Sequence, residues 1–508
     1  MVIFLTKQLR SSISTITFII IFLFLFASSE FAGLRSLNVS PSKFIRVVRK
    51  VGDDLQKVTS MFKSELSNAK HDPLLFNLIS TCLDLLDLSV DQLNWSISAV
   101  QSPKGNHNST GDMKSDLRTW LSAVLANVET CTDSFEDTKR NVKGSIATKI
   151  DEAKSLLQDL LTQVKPSLND LSMSSRSKFP SWVEQRDKKL LGREGVRANA
   201  VVAVDGSGNF TKVMDAVNAA PDKSMIRYVI HIKKGVYIEN VVIGMEKWNL
   251  MMIGDGMDAT VITGNLSVNV SFTTFRTATF GVNGRGFIAQ DLTFENTAGP
   301  NNHQAVALRS NSDLSIFFRC GIYGYQDSLY AHTSRQFYRE CKISGTVDFI
   351  FGRATVVFQN CTILARKGLE SQKNTITAQG EKHLTESSGF SFQFCNISAD
   401  HDLVPFVNTT STYLGRPWKA YSRTIFMSSY ISDVLNPKGW LEWNGTLYLN
   451  TLYYAEYDNY GPGARLDGRV KWPGYHVIDD PTKASNFTVA NLIEGNIWLP
   501  STGVPFIP

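Results

Sequence analysis

The sequence predicts a multidomain protein, an all-α four-helix bundle followed by an all-β right-handed parallel β-helix (a solenoid). Three observations carry this. Up to about residue 172, apolar residues recur at helical spacing. From Val201 on, short β-branched runs are broken at close intervals by Gly, Asn and Asp, and long helical stripes are nearly absent after Ala220. That pattern admits a sandwich, barrel, propeller or solenoid, and a repeat decides among them. Cys320, Cys341 and Cys361 are 21 and 20 residues apart, and Asp327 and Asp348 are 21 apart. Such a period is one coil of a parallel β-helix, which stacks equivalent positions at a strand spacing of about 4.8 Å.

Taken in order, the chain opens with Lys7 and Arg10 ahead of an apolar run from Ile16 to Phe26, then Ala27, Ser28 and Ser29. A charged n-region, a short h-region and small residues predict a signal peptide over residues 1–29, with an uncleaved signal anchor as the rival. Asn-x-Ser/Thr sequons at Asn38, Asn94, Asn108, Asn209, Asn265, Asn269, Asn360, Asn396, Asn408, Asn444 and Asn486 suit a secreted glycoprotein. So does the even number of cysteines, six, with no Cys-x-x-Cys pair. A net charge of +5 over 508 residues is too small to suggest a nucleic-acid partner.

The helical region is expected over residues 30–177. Phe44, Val48, Val51, Leu55, Val58 and Phe62 advance by fours and threes, as do Ile146, Ile150, Ala153, Leu157, Leu160 and Val164, with Pro166 as the stop. Residues 75–93 and 117–128 supply two more helices around a polar loop at 102–112, and short connections favour antiparallel packing. Cys82 and Cys131 fall on the two middle helices, where one disulfide could staple them. Residues 178–197 read as a linker, either simply solvated or carrying a basic site at Lys188-Lys189 for a processing protease. The β-helix occupies 198–508. In it Cys320, Cys341, Cys361 and Cys395 are disulfide candidates, with Cys320–Cys341 and Cys341–Cys361 both open.

Asp327 and Asp348 stand in apolar, aromatic strings, Gly324-Tyr-Gln-Asp-Ser-Leu-Tyr330 and Gly345-Thr-Val-Asp-Phe-Ile-Phe-Gly352. Burying a carboxylate costs several kcal/mol unless it is paired or protonated, so two stacked ones predict one ionised and one protonated. The blander reading is that each caps backbone N–H groups at a turn. No His-Glu-x-x-His, Gly-x-Ser-x-Gly or Gly-x-x-x-x-Gly-Lys string occurs, so no metal or cofactor is expected.

Several strings resemble the signature blocks of plant pectin methylesterases: Gly235-Val-Tyr-Ile-Glu239, His303-Gln-Ala-Val-Ala-Leu-Arg309, Gly324-Tyr-Gln-Asp327, Asp348-Phe-Ile-Phe-Gly352 and Leu414-Gly-Arg-Pro-Trp418. The helical region, with Cys82, Cys131 and Trp120-Leu-Ser-Ala123, is similar to the inhibitor domain that precedes many of these enzymes as a pro-region. The resemblance implies a pectinesterase acting on methyl-esterified homogalacturonan. It implies Asp348 as nucleophile, Asp327 as proton donor and acceptor, and Gln326 and Gln304 as oxyanion donors. Arg416 is implied as the partner of Asp348. Thr274, Gln304, Tyr330, Phe351, Arg416, Trp418 and Trp440 are implied to bind the sugar chain. Its own pro-region and separate inhibitor proteins are the implied protein partners, and the plant cell wall the implied location. A polygalacturonase or pectate lyase, which share the β-helix, is the alternative, as is an inhibitor module fused to a weak catalyst. Three departures from the family pattern stand out. Arg353 replaces the usual Asn, which puts an extra cation close to the nucleophile and is expected to lower the pKa of Asp348 or alter substrate preference. Glu442 replaces a Pro near Trp440, and the first cysteine pair of the inhibitor family is missing.

Overall fold

The computed structural model describes residues 37–101, 110, 112–140, 142, 144–164 and 197–508; the expected signal segment and basic linker site lie outside the described residues. Four helices form the N-terminal unit: α1 (Pro41–Leu66), α2 (Pro73–Gln101), α3 (Met113–Asp137) and α4 (Gly144–Gln163). Local chemistry sets their starts. Ser40 accepts a hydrogen bond from the Lys43 N–H with Pro41 at the first position, and Asp112 accepts from the N–H groups of Lys114 and Ser115. The stripes read from the sequence are the buried faces, Phe44 to Phe62 on α1 and Ile146 to Leu160 on α4. The Cys82–Cys131 disulfide joins α2 to α3 as expected.

Residues 200–477 wind into a parallel β-helix whose three sheets have 11, 7 and 8 strands. Each coil adds one strand to each sheet, so like side chains stack. Ile322, Ile343, Ile363, Ile397 and Ile431 are in register on one sheet. On another, the rings of Phe317, Tyr338, Phe358, Phe392 and Phe426 form a column with centroids 4.4–4.8 Å apart. One corner is turned by a left-handed residue on successive coils, among them Arg319, Glu340, Asn360 and Phe394. The residue after each is a cysteine.

This corner corrects the disulfide expectation for the late cysteines. Cys320, Cys341, Cys361 and Cys395 are buried free thiols. Each Sγ donates to a backbone carbonyl, for instance Cys341 to Phe317 O at 3.2 Å and Cys395 to Phe358 O at 3.4 Å. In-register stacking supplies the Cα spacing of a disulfide but not its rotamers, and the thiols have acceptors without one.

The helical unit docks on the seven-stranded face. Arg335, 1% exposed, bridges Asp313 of the β-helix (2.7 Å) and Asp116 of α3 (2.8 Å), while Trp120 Nε1 donates to Asp313 (3.0 Å). Thr81 meets Thr273 at 2.9 Å and Thr130 meets His332 at 2.9 Å. Phe275, Tyr330 and Phe351 of the β-helix complete the apolar core of the bundle.

Candidate active site

The site lies on the seven-stranded sheet. There Leu329 pairs with Ile350 and Ile350 with Thr377. Two residues earlier on each coil, Asp327, Asp348 and Thr375 therefore form a row across adjacent coils. Asp327 (φ 64°) and Asp348 (φ 52°) both adopt the left-handed conformation, which costs about 1–2 kcal/mol for most residues and is best tolerated by Asp and Asn after Gly. The corner that Asp can turn is also where its carboxyl is displayed, and the donors to Asp348 are side chains rather than the backbone N–H groups of a capped turn.

The two carboxyls are buried to the same degree, 7% and 6% exposed, but are supported unequally. Asp348 Oδ1 accepts from Arg416 Nε at 2.8 Å and from Thr375 Oγ1 at 2.7 Å, while Oδ2 accepts from Arg416 Nη2 at 2.7 Å. A guanidinium fork of this kind fixes a carboxylate in plane. The Asp327 carboxyl has no ion-pair partner among the described residues. Burial, then the charge of Asp348, push it well above the usual carboxylate range, against a smaller opposing pull from Arg416. The two carboxyls thus differ in their partners, a cation and a hydroxyl on Asp348 and, among the described residues, neither on Asp327.

A cavity of about 590 Å³ opens over the pair. Thr274, Gln304, Gln326, Tyr330, Phe351, Arg416 and Trp418 line it, as the sequence reading expected. Tyr330 stacks on Phe351 with centroids 4.1 Å apart, and Trp418 meets Phe351 edge-on at 6.0 Å. Part of the wall belongs to the helical unit: Leu74, Thr130, Asp133, Ser134, Asp137 and Thr138.

One expectation needs correction. Trp440 does not line the groove; it is fully buried, stacked on Tyr454 at 4.1 Å and edge-on to Phe426 at 5.9 Å, because it ends the aromatic column of the core. Trp443 takes the predicted place, its ring 4.4 Å beneath the Arg416 guanidinium. Arg353, expected as an extra cation close to the nucleophile, is ion-paired in the full chain to Glu129 and Asp133 of α3. The reading also missed Thr375 and Trp443. Trp443 left a signal, three residues beyond Trp440 in the same string; Thr375 left none, because only coil stacking brings it to Asp348.

With this geometry in hand, comparison with known proteins is direct. The family described as Pectinesterase matches residues 199–496, and the one described as plant invertase/pectin methylesterase inhibitor matches residues 31–164. A pectinesterase/pectinesterase inhibitor of Prunus persica is 61% identical over 92% of this chain and 90% of its own length. A probable pectinesterase/pectinesterase inhibitor of Arabidopsis thaliana is 54% identical over 99% of this chain and 98% of its own. Among solved structures, a pectin methylesterase from carrot superposes with a TM-score of 0.61 at 51% identity, covering 62% of this chain and 99% of its own. The chain belongs to the pectinesterase family, and a pectin methylesterase inhibitor domain precedes its β-helix.

Proposed function

We propose that the β-helix hydrolyses the methyl esters of homogalacturonan, giving methanol and free uronate carboxylates, and that the helical domain holds it inactive in the full chain. The observation that carries the reaction is the unequal carboxyl pair. Asp348, held in plane by Arg416 and Thr375, presents an oxygen to the ester carbonyl. The tetrahedral oxyanion is received by the side-chain amides of Gln304 and Gln326, which donate without competing for the proton. Asp327, which retains its proton, delivers it to the departing methoxide, so methanol leaves and Asp348 carries the acyl group as an anhydride. Asp327, now a carboxylate, takes a proton from water, whose oxygen attacks the acyl carbon and releases Asp348. Tyr330, Phe351, Trp418 and Trp443 offer aromatic faces to the pyranose rings.

Restraint by the helical domain is supported by α3, whose Thr130, Asp133 and Asp137 wall the same cavity. Release would follow proteolysis in the 178–197 linker, and the N-terminal segment would direct the chain to the secretory route and the cell wall. The test is methanol release and chain length measured together on methyl-esterified pectin. Asp348→Asn should abolish methanol release in residues 198–508. Shortened chains with unchanged ester content would instead establish a glycosidase or lyase.

A further inference from the structure

Arg353 has a carboxylate environment borrowed from the other domain. It is 3% exposed, yet its ion-pair partners among the described residues, Glu129 and Asp133 (3.5 Å), both lie on α3. Its Nε and Nη2 have no hydrogen-bond partner. Within the β-helix, Glu386 is near enough to act on Arg353 electrostatically but makes no ion pair with it. Two lysines share the arrangement: Lys419 Nζ is 2.8 Å from Asp133, and Lys382 Nζ is 3.5 Å from Glu129. The set sits beside the substrate groove. A Cβ on Gly380 would touch the Trp418 ring on one side and the Arg353 stem on the other, and Lys419 directly follows Trp418.

The acidic side of this contact is regular. Glu129, Asp133 and Asp137 are four residues apart on α3, so they share one face at a repeat of about 6 Å. The row begins at Arg353 and ends with Asp137 in the cavity, near enough to Asp327 to act on its proton. A polyuronate lying in the groove also presents carboxylates in a row, one per sugar.

We infer that Arg353, Lys382 and Lys419 form a subsite for the free carboxylates of already de-esterified sugars, and that the acidic face of α3 fills it in the full chain. Departure of α3 removes Glu129 and Asp133 together and uncovers a guanidinium and two ammonium groups without those counter-charges, which a uronate carboxylate can pair in their place. The subsite rests on the reaction proposed above: it would favour ester groups next to stretches already cleared, by binding the product side of the chain.

The experiment uses residues 198–508, which hold the whole pectinesterase match; the carrot enzyme, a solved structure, is covered over 99% of its length by only 62% of this chain. An oligogalacturonate free of methyl esters is titrated by calorimetry into this domain, into its Arg353→Gln, Arg353→Lys and Lys419→Gln variants, and into the full chain. We expect binding to the parent domain and none to the full chain. Affinity should fall about tenfold in Arg353→Gln and less in Arg353→Lys and Lys419→Gln. The ratio of kcat/KM on sparsely esterified pectin to that on fully esterified pectin should fall about fivefold in Arg353→Gln. Unchanged affinity and an unchanged ratio in Arg353→Gln would overturn the subsite, and so would equal binding by the full chain. Absence of methanol from both pectins with the parent domain would defeat the reaction instead, and the calorimetry would still decide the subsite.

Discussion

At the scale of single residues, the site depends on how two like groups are treated differently. Asp348 receives three charge-directed hydrogen bonds, two from Arg416 and one from Thr375. Thr375→Val removes one of them while keeping the shape. A bond to a charged group is worth about 1.5–3 kcal/mol, so we expect kcat to drop roughly ten- to a hundredfold with KM little changed. Arg416→Lys keeps the charge but loses the fork and should cost more, through misplacement of Asp348 as well as lost hydrogen bonds. Asp327 sets the pH dependence. Its carboxyl is raised, so the proton donor persists above the usual carboxylate range and is lost as pH rises through the raised value. Acylation in residues 198–508 should therefore fade on the alkaline side, and Asp327→Asn should abolish that limb along with most of the rate.

At the scale of elements, stacking converts sequence period into geometry. Trp440 and Trp443 are three residues apart but serve different layers, one in the core column and one in the groove. Trp440→Ala should destabilise the β-helix by about 3–5 kcal/mol, measured by denaturant unfolding. Trp443→Ala should leave stability nearly unchanged and raise KM for pectin. The cysteine corner makes a second contrast. Thiol labelling of the denatured, unreduced chain should find four reactive cysteines, Cys320, Cys341, Cys361 and Cys395; two or fewer would refute the free-thiol corner. Reduction should affect only Cys82–Cys131, loosening the α2–α3 pair by about 2–4 kcal/mol.

Across the whole molecule, the interface between bundle and β-helix is built on buried charges, which makes it sensitive to pH. Burial is the main cause that raises Glu386 to about 7, with Glu129 of α3 adding to it; burial and then Asp112 raise Glu494 to about 8. Acids raised in the docked state contribute stability that is complete below the ordinary carboxylate pKa and is lost as pH climbs through the raised values. Burial alone would raise Glu129 too, but Arg353, His383 and Lys382 more than offset it, so its opposite slope falls at strongly acid pH. Docking should therefore weaken between about pH 5 and pH 8. Thermal unfolding of the full chain should show Tm falling across that range, with a shallower fall in Glu386→Gln and Glu494→Gln.

Much of this was legible in the order of residues. The stripe from Phe44 to Phe62 implied a helix because a 3.6-residue turn must bury one face, and the 21-residue spacing of Asp327 and Asp348 implied neighbouring coils because a solenoid stacks whatever recurs once per turn. Local strings likewise marked Gln326, Asp348 and Arg416. What lay beyond the sequence were contacts between segments far apart in it. Thr375 reaches Asp348 through coil register, and the cysteine column stays as hydrogen-bonded thiols rather than closing into disulfides. Arg353 carries no mark of its partner 224 residues away. Its charge is plain in the sequence, but which carboxylate faces it is a property of how two separately folded surfaces meet, and only the packed chain decides that.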